Sequence, residues 1–385
     1  MVELQRTRIL LITRNLPPLV GGMERLNWHM AEELAKVADV CVIGPQGSAA
    51  VAPDGIDVRE VPLTPLWRFL LRALRLARSE AARWKPDIVL AGSGLTAPLV
   101  WLAARAFGAA AAVYVHGLDV AVKHPLYRAL WLPAIRRMRV VIANSQPTAA
   151  LCRQIGVAAE CIAIVHPGVE LPPEPGVGND PAADFRKQHS LGTRPILLSV
   201  GRLSTRKGLR EFVVQALPQI VAADPDAMLL VIGDAPKQAL HAQAQSPESI
   251  QAAAEAAGVG GNLRFLGVIT DYAKLGAAYR AADVHVFPVR ELPGDPEGFG
   301  MVAVEAAAHG LPTVAFAAGG IVDAVADGRS GRLVASGDYP GFAVAVSQTL
   351  AQRDALREAC IDFAQGFAWP AFGDGIWAAL RRKMD

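Results

Sequence analysis

Asp295-Pro296-Glu297-Gly298-Phe299-Gly300-Met301-Val302-Ala303-Val304-Glu305 reads as a loop that turns into a helix. The residue before a proline is pushed toward extended geometry, so Asp295-Pro296 belongs to the loop. Val302 to Ala308 has helical composition; His309-Gly310 ends it and Pro312 keeps it from resuming. Gly298 and Gly300 allow backbone N–H groups to approach a ligand with no Cβ in the way. The helix behind them supplies free N–H groups and the positive end of a dipole, which together suit an anion such as phosphate. Two carboxylates flank that anion site, Glu297 at the loop mouth and Glu305 inside the first turns. Beside a phosphate they make sense as acceptors for hydroxyls of a sugar and a ribose.

Outward from this stretch, short apolar runs recur at Ile196–Val200, Met228–Ile232, Leu263–Leu266, Val284–Phe287 and Thr313–Phe316. Runs of this length without alternation are strands buried on both faces, as in a parallel sheet. The first of them leads into the polar loop Gly201-Arg202-Leu203-Ser204-Thr205-Arg206-Lys207-Gly208, and a helix is expected over Leu209–Val221. Arg202 offers a bidentate fork and Lys207 a point charge, a pair suited to a diphosphate. Beside the Gly300 helix end, that use outweighs the alternative of two exposed turn residues. Gly319-Gly320 closes over a sugar or is a tight turn. Asp224-Pro225-Asp226 has the spacing used to hold a divalent metal, but it lies on the amino side of a strand, the wrong edge for a ligand, and reads as a turn.

The first half repeats the pattern. Strands are expected at Ile9–Ile12, Val40–Ile43, Ile56–Val61, Ile88–Ala91, Ala111–Val115 and Val140–Ala143, with a Gly-rich loop ending in Gly21-Gly22 and a helix from Glu24 to Lys36. Gly22 therefore sits where backbone amides meet a ligand, and His116-Gly117-Leu118-Asp119 lands at the carboxyl edge of the sheet. That position favours a functional His116. Gly92-Ser93-Gly94-Leu95-Thr96-Ala97 matches a dinucleotide fingerprint. It does not follow the first strand, and it reads as a helix start. The Pro- and Gly-rich Leu171–Ala183 is the linker candidate. The expected domains are 1–175 and 176–366, with 367–385 packing back onto the first as a helix broken at Gly373–Gly375. Two doubly wound sheets would place a ligand in the cleft between them.

Composition narrows the class. With 52% hydrophobic and 19% charged residues over 385 positions, a large core is expected and extensive disorder is not. A net charge of +2, with no concentrated Lys/Arg tract and no zinc-finger spacing, leaves nucleic acid a poor partner. Cys41, Cys152, Cys161 and Cys360 are scattered, with no C-x-x-C pair, so they read as buried thiols of a reducing compartment. The short N-terminal apolar run is neither signal peptide nor membrane span, and a cytoplasmic location is expected. Leu66–Arg78 is a basic amphipathic helix. Arg68, Arg72, Arg75 and Arg78 share one face, with Trp67, Leu70, Leu71 and Leu74 largely on the other. It is either a solvated surface helix or a docking face for an anionic membrane, peripheral on the inner leaflet. Trp131 and the Arg136-Arg137-Arg139 cluster tilt the balance to the membrane.

These residues resemble the retaining glycosyltransferases of family 4. The carriers are Gly21-Gly22, His116-Gly117, His166-Pro167-Gly168-Val169, Gly201-Arg202-Leu203-Ser204 with Lys207-Gly208, and Glu297 with Glu305 eight positions on. Phe287-Pro288-Val289-Arg290 is similar to the mannosyltransferases that use GDP-mannose on phosphatidylinositol mannosides. The resemblance implies an α/β fold of GT-B type, with two facing Rossmann-like domains. It implies a metal-independent hexosyltransferase that uses a sugar nucleotide and no cofactor, with a lipid-linked or polysaccharide acceptor. A UDP-sugar donor and a non-catalytic sugar-nucleotide-binding subunit are the alternatives. Carried over, Arg202 and Lys207 hold the leaving diphosphate and Glu305 the ribose. Glu297 and the amides of Phe299, Gly300 and Met301 hold the sugar and a phosphate. His116 lies near the sugar's reacting face, and Gly22 lets the first domain approach the diphosphate. Gly233-Asp234-Ala235-Pro236 departs from the Gly-x-Gly of many relatives, so no base contact is carried there.

Overall fold

A computed structural model describes residues 6–173, 180–235 and 245–382. The chain divides into two compact units, Met1–Gly168 with Trp369–Asp385, and Val169–Ala368. The boundary expected at 175/176 falls in residues 174–179, outside the described residues, as do Pro236 and Met384.

The first unit is built on β1 (Arg8–Ile12), β2 (Asp39–Pro45), β3 (Asp57–Val61), β4 (Ile88–Ala91), β5 (Ala110–Val115), β6 (Val140–Ala143) and β7 (Ile162–Ile164). They form one parallel sheet in the order β3-β2-β1-β4-β5-β6-β7. The central strands are apolar along their whole length because both faces are covered. Ile9 to Ile12 and all of β4 and β6 are buried. Helices α1 (Gly22–Val37), α2 (Leu66–Trp84), α3 (Ala97–Phe107) and α4 (Pro125–Arg136) cover it.

In α2 the buried face is Phe69, Ala73, Ala77 and Ala81, at i, i+4 spacing. This corrects the expected division of the helix. Leu70 and Leu74 are half-buried, but Trp67 and Leu71 stand exposed on the same side as Arg68, Arg72, Arg75 and Arg78. The small alanines seat the helix and leave its two bulky apolar residues outside.

The Trp369–Arg381 helix packs on α1 within this unit, with Trp369 stacked on His29 at 4.0 Å. It runs unbroken through Gly373 and Gly375. The expected break is absent because these glycines serve close packing. A Cβ on Gly373 would lie 2.4 Å from Glu33 Cβ, and one on Gly375 2.9 Å from Val165 Cγ1.

The second unit holds β8 (Ile196–Val200), β9 (Met228–Ile232), β10 (Leu263–Gly267), β11 (Val284–Phe287), β12 (Thr313–Phe316) and β13 (Gly331–Val334), parallel in the order β10-β9-β8-β11-β12-β13. Its helices include α5 (Tyr272–Ala281), α6 (Met301–Ala308) and α7 (Tyr339–Gln365). Pro218 splits the helix expected over Leu209–Val221 into Leu209–Gln215 and Leu217–Ala223, since proline cannot donate inside a helix. The linker candidate also ends early. Pro181–Gln188 is a helix whose N-cap Asp180 accepts from the amides of Ala182 and Ala183.

In both sheets the chain order reverses once, between β1 and β4 and between β8 and β11. Loops leaving the carboxyl ends of those strands diverge to opposite faces and open a crevice where ligands bind. Gly22 and the Gly92 turn follow β1 and β4. The Arg202–Lys207 turn and the Glu297–Gly300 loop follow β8 and β11.

Candidate functional site

In the second unit β8 ends at Val200, and the chain turns through Gly201 into a short 3-10 helix, Thr205–Lys207. Gly208 closes that turn at φ +70, and a Cβ there would lie 2.1 Å from the Pro288 carbonyl oxygen. Only glycine fits both demands. The close approach sets the Lys207 side against the chain leaving β11, where Arg290 N–H donates to the Arg206 carbonyl at 2.8 Å.

Glu297 meets this turn directly. Lys207 Nζ donates to Glu297 Oε2 at 2.9 Å, and Arg206 Nη1 donates to the same oxygen at 2.5 Å. Arg206 Nε also pairs with Asp295 Oδ1 at 3.3 Å. Lys207 Nζ sits 4.6 Å above the Phe287 ring. Burial alone would raise the Glu297 carboxyl, but the charges of Lys207 and Arg206 outweigh it and hold it at about 2. The Lys207 ammonium is lowered from its ordinary value, first by burial and against the pull of Glu297. Glu297 is thus an anion at neutral pH, its Oε2 carrying both cations and its Oε1 taking part in neither contact.

The helix end behaves as the sequence implies. Gly300 is the N-cap of α6 at φ +96, in the left-handed region, and no side chain caps the helix. Met301 opens the helix, and Ala303 N–H turns back to the Gly300 carbonyl. The Phe299 side chain is buried and packs against Phe367, so its ring is committed to the core of the unit. Gly319-Gly320 settles as a buttress. Gly320 N–H donates to the Glu297 carbonyl at 2.9 Å, and a Cβ on Gly320 would lie 2.0 Å from the Gly298 carbonyl oxygen. The pair presses on the backbone of the Glu297 loop and sets its height.

Arg202 is exposed on the same turn, at the rim of a cavity of about 450 Å³. Val200, Ile232, Val268 and Ile269 give it apolar walls, with Gly233 and Asp234 at the end of β9. Glu305 lies on the second turn of α6. Tyr279 of α5 donates to its Oε2 at 3.3 Å, and His309 Nδ1 contacts its carbonyl oxygen at 2.9 Å.

In the first unit, His116 follows β5. Its Nε2 lies 3.0 Å from the Gly92 carbonyl oxygen, and its backbone N–H donates to Asp119 Oδ2 at 3.0 Å. Gly22 is the exposed first residue of α1. The Gly92–Ala97 turn leads into α3, and its glycines leave no room for a pyrophosphate. A Cβ on Gly92 would meet Asn27 Oδ1 at 2.1 Å, and one on Gly94 would meet Asp119 Cβ at 2.6 Å. Protein side chains already occupy that space. Asp224-Pro225-Asp226 is a turn, with Asp226 N–H donating to Asp224 Oδ1, and no group of three metal-ligating side chains occurs among the described residues.

Of the expected residues, the structure brings Glu297 and Lys207 into contact and places Arg202 beside them. Glu305 sits one helix turn further on, and His116 and Gly22 belong to the other unit. Arg206, Asp295 and Tyr279 were missed. Adjacency to Lys207 was the only signal for Arg206, and a run of basic residues does not reveal which side chain turns inward.

A family model for glycosyl transferases group 1 matches residues 181–367, and one for glycosyltransferase family 4 matches residues 20–171. The chain is 29% identical over 373 residues to the GDP-mannose-dependent alpha-(1-6)-phosphatidylinositol monomannoside mannosyltransferase of Mycolicibacterium smegmatis, covering 92% of each chain. It is 30% identical over 371 residues to the protein of the same name from Mycobacterium tuberculosis, covering 90% of each. Among solved structures, Anabaena Alr3699/HepE in complex with UDP superposes with a TM-score of 0.80 at 20% identity, over 98% of this chain and 100% of that one.

Proposed function

This chain belongs to the family 4 glycosyltransferases, and on that premise we propose that it moves a hexose, mannose from GDP-mannose, onto a lipid-linked or polysaccharide acceptor with retention and without a metal. The observation that carries the reading is the cation cluster facing an uncapped helix end at the β8/β11 reversal. As the bond from the anomeric carbon to the phosphate oxygen breaks, the sugar becomes oxocarbenium-like and the nucleoside diphosphate gains charge. Arg202, Lys207 and the amides of Gly300 and Met301 stabilise that charge in place of a metal. The acceptor oxygen attacks from the face the phosphate leaves, and a phosphate oxygen takes its proton, which gives retention with no flanking carboxylate pair. Glu297 holds sugar hydroxyls, Glu305 holds the ribose, and the apolar cavity beside Arg202 takes the base. His116 and Gly22 stand at the carboxyl edge of the first unit's own sheet, the edge where such sheets take ligands.

The mannose lean rests on the relatives named for GDP-mannose, and a UDP-sugar donor is favoured instead by the neighbour solved with UDP. Thermal shift with GDP-mannose, UDP-glucose and ADP-glucose separates them. Stabilisation by none of the three overturns the donor-site reading, and an inverted product anomer by NMR overturns retention.

The lipid-side acceptor is supported by the outer face of α2. Trp67 is 58% exposed and Leu71 49%, set among Arg68, Arg72, Arg75 and Arg78. Leu126 and Leu130 of α4 add exposed apolar groups, whereas Trp131 is tied to the Leu95 carbonyl by its Nε1. Apolar side chains interleaved with arginines suit an anionic bilayer surface, and among the described residues no helix is long and apolar enough to cross a membrane. Co-sedimentation with phosphatidylglycerol vesicles is expected. It should fall when Arg68, Arg72 and Arg75 become Gln and fall further with Trp67→Ser; binding unchanged by either set removes this support.

A further inference from the structure

We propose that Arg206 is a positioning residue for the donor sugar, acting through Glu297 and not on the diphosphate. The inference rests on the reading that Glu297 holds sugar hydroxyls. Arg206 is the one cation of its turn that bridges two carboxylates of the opposing loop, Glu297 through Nη1 and Asp295 through Nε. Its own carbonyl accepts from Arg290 N–H, so backbone and side chain both tie the turn to the chain leaving β11.

The fork has a directional consequence. A guanidinium presents Nε and Nη1 in a fixed plane, so pairing Nε with Asp295 fixes where Nη1 must find Glu297. Arg206 and Lys207 both take Oε2. The carboxylate is thereby held through one oxygen, and its Oε1 takes part in neither contact. Lys207 cannot impose this alone, because an ammonium is a point charge on a flexible stem. With its charge engaged by two carboxylates, Arg206 is poorly placed to serve a phosphate as well, whereas Arg202 on the same turn is exposed. The turn therefore divides its labour: Arg202 and Lys207 act on the leaving group, and Arg206 sets the sugar clamp.

Isothermal titration with GDP-mannose and GDP, and in parallel UDP-glucose and UDP, isolates the sugar's share of binding in wild type, Arg206→Gln, Arg206→Lys and Glu297→Gln. For Arg206→Gln we expect affinity for the sugar nucleotide to fall about tenfold, the scale of one charge-assisted contact. The matching nucleoside diphosphate should stay within about twofold. Arg206→Lys should recover part of the loss, which a merely structural role would not give. Equal weakening of both ligands makes Arg206 a phosphate ligand and overturns the proposal, as does unchanged binding of both. Glu297→Gln tests the underlying reading separately. Selective loss of the sugar nucleotide upholds it, and loss of neither ligand sinks it and the Arg206 proposal with it. Melting curves identify a folding loss in Arg206→Gln, in which case Arg206→Lys, with a wild-type melting curve, decides.

Discussion

Gly320→Ala tests the buttress beneath the Glu297 loop with one methyl group. Gly320 has φ −70 and ψ −2, an ordinary helical conformation, so alanine brings no dihedral strain. The cost is steric. The new Cβ would lie 2.0 Å from the Gly298 carbonyl oxygen, 2.6 Å from its carbon and 2.7 Å from Phe299 Cα. All three are backbone atoms that cannot rotate away. Reaching even 3.0 Å from the oxygen requires a displacement of about 1 Å, against the close packing expected of a protein interior. Overpacking of this kind costs about 1–3 kcal/mol. The Gly320 N–H to Glu297 carbonyl bond stretches with it, for about 1 kcal/mol more. The sum is about 2–4 kcal/mol, or roughly 5–15 °C in the melting temperature of a unit of this size. The displaced backbone also carries Glu297 away from Lys207 and Arg206, so sugar-nucleotide affinity should fall with stability. The assay is calorimetric melting together with donor titration. Gly261→Ala serves as control, because nothing lies within 4 Å of a Cβ there. Wild-type melting and donor affinity in Gly320→Ala, matching the control, would refute the argument.

Lys207→Ala should fold normally and lose about two to three orders of magnitude in kcat, the scale of removing one preorganised charge from a leaving group; near-normal turnover would remove Lys207 from the mechanism. Acid should destabilise the second unit through His285, which is fully buried with Nδ1 3.0 Å from Thr313 Oγ1 and no hydrogen-bond partner for Nε2. Burial first, and the Lys207 charge second, depress its imidazole to about 3. The folded state therefore keeps it neutral while the unfolded chain binds a proton below about 6.5. Its stabilising effect is complete above that value and is lost as pH falls toward 3, at about 1.4 kcal/mol per pH unit. Glu297 adds a loss of the same sign only below its ordinary value of 4.5, down to about 2. Urea unfolding between pH 7 and 5 should thus show a slope that His285→Met flattens, and an unchanged slope would contradict the assignment.

Much of the frame that carries this site is legible in the sequence. Val284–Phe287, Met228–Ile232 and Thr313–Phe316 begin and end where the apolar runs do, because strands covered on both faces need unbroken hydrophobicity. The uncapped helix start at Gly300 follows from a glycine in the left-handed region and the absence of a capping side chain, both local properties. Other features depend on partners far away in sequence. Gly319-Gly320 reads equally as a turn or a sugar clamp until the Glu297 backbone appears above it. Gly373 and Gly375 look like a helix break until Glu33 and Val165 fill the space a Cβ would take. Trp67 and Leu71 read as the face opposite the arginines until alanines turn out to seat the helix.

Sequence by itself therefore determined the two parallel sheets, the loops at their carboxyl edges and the chemistry each loop can offer, because hydrophobic period, glycine and proline act over a few residues. Only the tertiary structure decided which charges meet. Arg202, Arg206 and Lys207 are alike as letters on one turn. The close approach at Gly208 brings β8's loop against the chain after β11, and that geometry turns Lys207 and Arg206 onto Glu297 while Arg202 stays at the rim. Coulomb energy depends on distance, and these distances are set by the packing contact of Gly208 with Pro288, far apart in sequence.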